Sequence, residues 1–121
     1  MTMYQKIKEL EILVNSGNSL KLDQLSGQNR IVTQIKDGKI IYTHGVGGSK
    51  DSLDIDLLYK TYFILQEMGE LSVRNLENID KNYTINGTPC NAVMFMLLMN
   101  YFFGKQISGS GTKGDPYLIK W

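Results

Sequence analysis

Residues 86–104, NGTPCNAVMFMLLMNYFFG, constrain the fold more than any other stretch of this chain. Thr88 is a natural N-cap, because its hydroxyl can accept a bond from a free amide of the first helical turn. Pro89 suits the first helical position, where its missing N–H is no loss. Gly104 suits the left-handed residue that closes a helix. Between them Val93, Met94, Phe95, Met96, Leu97, Leu98, Met99, Tyr101, Phe102 and Phe103 cover every side of the helix. A helix that is apolar all round is buried on all sides or lies between subunits. The expectation is therefore a domain packed around a helix over 88–103, with a second copy of the chain covering what remains.

The apolar run is ~15 residues, short of the ~20 that span a bilayer, and Asn91 and Asn100 interrupt it. No membrane span is expected. The 121 residues fit a single domain over 1–121. The single cysteine excludes an internal disulfide and suits a reducing cytoplasm. Abundant lysine, asparagine and isoleucine suggest an AT-rich genome, as in a low-GC bacterium or its phage. In that case the compartment is the host cytoplasm.

Ahead of that helix, Met3, Ile7, Leu10 and Val14 recur on one helical face over 3–15. Residues 18–29, polar with Leu20, Leu22 and Leu25 interspersed, read as an ordered connector that can hold a short helical turn or strand. Residues 30–44 alternate as strands around Asp37-Gly38, the pair that a type I′ hairpin turn requires. After the glycine loop 45–50, Asp51 or Ser52 can cap a helix over 53–68, with Leu58, Tyr62 and Leu65 on its inner face and Ile55, Tyr59 and Phe63 widening it. Ser72 caps a further helix ending near Asp80, with Leu71 and Leu76 as its staple. Residues 117–121 form a terminal strand that could complete a sheet with the hairpin. The order α-β-β-α-α-α-β predicts an α+β fold, in which a hairpin and a short C-terminal strand pack with about four helices around the apolar one.

Catalytic chemistry has little to draw on. His44 and Cys90 are the only residues of their kinds. They read as the polar end of a strand and a small core residue, although a Cys–His pair is formally possible. One of each cannot begin a zinc site. Asp54 and Asp56 are two apart and point in different directions on a helix. The chain is read as a non-enzyme with no cofactor and no metal.

Binding chemistry has more. Three loops are rich in glycine and small hydroxyl residues: 45–50, 86–88 and 108–114. Helix N-termini and successive loop amides hold anions without special side chains. Neither a Walker A motif nor a dinucleotide fingerprint is present. Thr88 and Asn91 are candidates to hold one phosphate or base edge. Ser108, Ser110, Thr112 and Lys113 are candidates for a second anionic group. Arg30 and Arg74, the only arginines, are candidate phosphate clamps.

The net charge of +1 gives no bulk electrostatic case for nucleic acid. A winged-helix regulator built from the last three helices, with the hairpin as wing, must show polar residues on its recognition helix. Here that helix is the most apolar of all, so nucleic acid is disfavoured. A protein-binding inhibitor is the other alternative.

In outline, a short near-neutral chain with a buried helix, a hairpin and glycine/hydroxyl loops without catalytic groups resembles the phage anti-Thoeris sponge proteins. The resemblance implies non-catalytic sequestration of a cyclic ADP-ribose-type signal or a cyclic oligonucleotide, evading host defence. It also implies a homo-oligomer, with the 88–103 helix as subunit interface. The partner expected on this reading is a small phosphorylated nucleotide.

Overall fold

The computed structural model describes residues 2–25 and 27–121, with all their side chains except those of Asp23 and Gln24. Met1 and Ser26, which fall in the expected N-terminal segment and 18–29 connector, lie outside the described residues. The protein is α+β. The chain divides into two compact units, residues 1–56 and 57–121.

The first unit opens with α1 (Met3–Asn15), which buries Met3, Ile7, Leu10 and Val14 as their spacing predicts. Thr2 and Gln5 form a capping box at its start. A four-stranded antiparallel meander follows: β1 (Leu20–Leu25), β2 (Gln28–Lys36), β3 (Lys39–His44) and β4 (Ser49–Asp54), in spatial order β1-β2-β3-β4. The expected hairpin is β2–β3, and Asp37 and Gly38 both take positive φ, 54° and 73°. β1 reaches only as far as Val32 on β2. Beyond it the side chain of Asn15 acts as a substitute strand. Its Nδ2 donates to the Ile35 carbonyl at 3.2 Å, and its Oδ1 accepts from the Ile35 amide at 3.2 Å.

The segment over 18–29 takes the strand alternative and contains β1. One expectation is corrected in this unit. The glycine loop turns β3 into β4, so Asp51 and Ser52 lie in a strand and do not cap a helix. The cap falls later, where the Asp54 carboxylate accepts from the Asp56 amide at 3.0 Å.

α2 (Ile55–Met68) runs into the second unit. There follow β5 (Glu70–Ser72), α3 (Val73–Ile79), a 3-10 turn (Lys81–Tyr83), α4 (Cys90–Phe103), β6 (Ile107–Ser108) and β7 (Leu118–Lys120). Ser72 caps α3 as expected, with Asn75 completing the box. Gly104 closes α4 at φ 68°. Pro89, rather than Thr88, stands at the N-cap position and supplies no side-chain cap. β7 is the middle strand of a second antiparallel sheet, ordered β5-β7-β6. The terminal strand therefore completes this sheet, and not the sheet of the 30–44 hairpin.

The second unit runs helix, strand, helix, helix, strand, strand, with the last strand in the middle of its sheet, an order that winged helix-turn-helix modules share. The loop between β6 and β7 takes the position of a wing in that order, and is called the wing below. The helix that such modules lay in the major groove is α4. From Asn91 to Met99 every residue of it is buried by this chain. Its C-terminal end is less covered, with Tyr101 exposed and Phe103 half-buried.

Beneath α4, the Tyr83 hydroxyl donates to Thr61 Oγ1 at 2.5 Å, and Thr61 donates in turn to the Leu57 carbonyl at 2.9 Å. Burial holds the Tyr83 hydroxyl well above the usual phenol range; the Thr61 bond lowers it and the Asp80 charge adds to the rise. The unfolded chain releases this proton near pH ~10, whereas the folded chain keeps it. Stability is therefore complete below that pH and falls above it, by up to about 1.4 kcal/mol per pH unit. Urea unfolding between pH 8 and 11 should show the decline, and Tyr83→Phe should flatten it.

Candidate functional site

The eight residues singled out in the sequence fall in four places. Arg30 belongs to the first unit. Its side chain is 4% exposed, and Nη1 donates to the Leu25 carbonyl at 3.0 Å. It stands directly across from His44 in the β2–β3 register. His44 Nε2 lies 2.5 Å from Asp51 Oδ2, and its ring is 5.9 Å from that of Tyr42. Arginine, imidazole and carboxylate thus share one end of the sheet's buried face. A histidine oriented by a carboxylate is half of an acid–base device. It is also an ordinary cross-strand polar contact.

Arg74 is exposed on α3. Thr88 is exposed in the turn before α4, where its hydroxyl donates to the Ile85 carbonyl at 2.7 Å and touches Cys90 Sγ at 3.4 Å. Asn91 is 4% exposed and donates to the Asn82 carbonyl at 2.9 Å. It braces the turn before α4.

Ser108 pairs with Leu118 at the base of the wing. Ser110, Thr112 and Lys113 occupy the wing itself and are exposed. This loop has the amide arrangement of an anion site, and Asp115 fills it. The Ser110 amide donates to the Asp115 carboxylate at 3.0 Å. The Ser110 and Gly111 amides also donate to the Asp115 carbonyl, at 3.1 and 3.0 Å. Ser110 Oγ lies 3.2 Å from Thr112 Oγ1. The Ser110 amide, in the loop expected to hold an anionic group, thus already meets a carboxylate of the same loop.

A feature that sequence reasoning missed lies at the opposite end of α4. Tyr62 of α2 stacks on Phe103, centroids 5.4 Å apart and planes 18° from parallel. The Trp121 ring meets Tyr62 and Phe103 edge-on, each at 5.4 Å. Phe63 continues the set at 5.3 Å from Tyr62, and Phe102 links Phe103 to Tyr101 at 6.2 and 5.7 Å. Lys105 Nζ sits 4.2 Å from the Trp121 centroid, within cation–π range. The Trp121 amide donates to the Gly69 carbonyl at 2.8 Å and anchors the ring's backbone. Yet Phe63 is 60% exposed, Tyr101 48% and Trp121 36%. α2 buries Leu57, Leu58, Thr61 and Leu65. Its inner stripe therefore turns away from Phe63, which the sequence had placed at the edge of the core.

No protein-family model, curated protein or solved structure matches this chain.

Proposed function

We propose that the chain is a non-catalytic binding protein that docks another protein on the aromatic face of its second unit. The observation that carries this reading is the set of touching rings Phe63, Tyr62, Trp121 and Phe103, with Phe63 and Trp121 open to water; Tyr101, also open, joins it only through the buried Phe102. Aromatic residues are enriched at the centres of protein interfaces and dominate their hot spots. The winged-helix connectivity supplies a rigid platform for this face. The burial of α4 removes the groove-reading use of such a module, which supports docking over DNA recognition.

A photo-reactive residue at position 63 tests this in cells. Val46, more open than Phe63 but alone in a glycine loop, is the control position. Protein adducts from position 63 and none from 46 are expected. No adduct at 63 would end this reading.

Sequestration of a small cyclic nucleotide is the second reading. It is favoured by the same rings with Lys105, since bases stack on aromatic faces and lysine adds positive charge. Trp121 is the only tryptophan, so its emission reports directly on this surface. Saturable quenching by cyclic ADP-ribose isomers or cyclic dinucleotides would favour the nucleotide. Unchanged emission would leave the protein reading alone.

A further inference from the structure

We infer that the aromatic face is self-complementary and that its partner is a second copy of this chain, paired α2 against antiparallel α2 across a two-fold axis. This inference rests on the docking reading above and names its occupant.

The first argument is area. Rings of about 150–250 Å² each, exposed by 60% and 36% at Phe63 and Trp121, leave roughly 200 Å² of aromatic surface in water. That is the size of an apolar centre within a standard interface of about 800 Å² per partner.

The second argument is charge. Lys60, Phe63 and Glu67 recur at i, i+3 and i+7, which places them on one face of α2, and all three are exposed. Neither Lys60 nor Glu67 forms an ion pair among the described residues. A two-fold contact requires that if residue i meets j, then j meets i. An axis passing between Phe63 and Ile64 satisfies this. It sets Lys60 of each copy against Glu67 of the other and brings the two Phe63 rings together at the centre. Opposite charges thus flank an aromatic centre at equal distances along the helix. A surface shaped for an unrelated partner has no need of that symmetry.

The full chain, purified and measured by sedimentation equilibrium at low salt, gives the test. The wild type is expected at twice the chain mass. Lys60→Glu and Glu67→Lys each place two like-charged pairs in the dimer and should weaken it by roughly 10-fold or more, since each exposed attraction becomes a repulsion. The double variant Lys60→Glu/Glu67→Lys restores opposite charges and should recover wild-type dimerisation. Both positions are exposed, and unchanged far-ultraviolet circular dichroism spectra of the variants would show that the fold is retained. A monomeric wild type would overturn the inference. So would a dimer indifferent to all three variants, or a double variant as weak as the singles. A monomer that still forms protein adducts from position 63 would overturn self-pairing and leave the docking reading standing. A monomer without such adducts would end both.

Discussion

Replacing Phe95 with alanine should lower stability by about 3–5 kcal/mol, the range for removing a fully buried phenyl ring. Phe95 is completely buried at the middle of α4, with the Tyr83 ring meeting it edge-on at 6.1 Å. A helix lying on the surface as a subunit contact would lose association on this change and little else. Here the neighbours on every side belong to the same chain, so a cavity opens inside a close-packed interior. Total stabilities are about 5–15 kcal/mol, so the loss is a large share of the whole. The check is the urea midpoint at a fixed protein concentration, which should fall with no change in slope.

The second large effect is at Gly109. A Cβ there would lie 2.2 Å from the Pro116 carbonyl oxygen, and the backbone holds φ at 92°. Both the contact and the dihedral oppose any side chain, and the obstructing atom is backbone. Gly109→Ala should therefore destabilise by about 2–4 kcal/mol, through strain at a special φ and overpacking together. Gly114, in the same loop, would meet nothing within 4 Å. Gly114→Ala should stay within about 0.5 kcal/mol of wild type. Equal effects at the two positions would show that the wing is not folded back on Pro116.

Local chemistry made part of this architecture legible. The Asp37-Gly38 turn is dictated by two positive φ angles. Ser72 is a helix cap in any context that lets the chain enter α3. The composition of α4 leaves it nowhere to go but inside. β4 was not legible because SKDSLD has none of the β-branched or aromatic residues that favour strands and carries two aspartates. Pairing with β3 holds it extended, and that is a tertiary cause.

The wing hid its chemistry in the same way. Nothing in GSGTKGDP shows that Asp115 folds back onto the Ser110 amide. Arg30 was legible as a residue worth weighing, but its burial opposite His44 depends on register. The aromatic face draws on α2, the end of α4 and Trp121, three segments far apart in sequence. Phe63 was a usable signal for it. A large ring that fits no stripe shared by Leu58 and Leu65 is one the core does not need.

The two sheets differ in how far the chain must travel to close them. In the first unit each strand pairs with the one before it across a short turn, so each step loses little chain entropy. In the second, Glu70 must find Lys120 and Leu71 must find Ile119, with two helices and the wing still to be placed between them. Long-range pairing of this kind is slow. During synthesis the meander can close while α4 is still emerging. The most apolar segment of the chain must then wait, uncovered, for the strand that completes its own unit. That interval, rather than the finished fold, is when this protein is most exposed to aggregation and most dependent on chaperones.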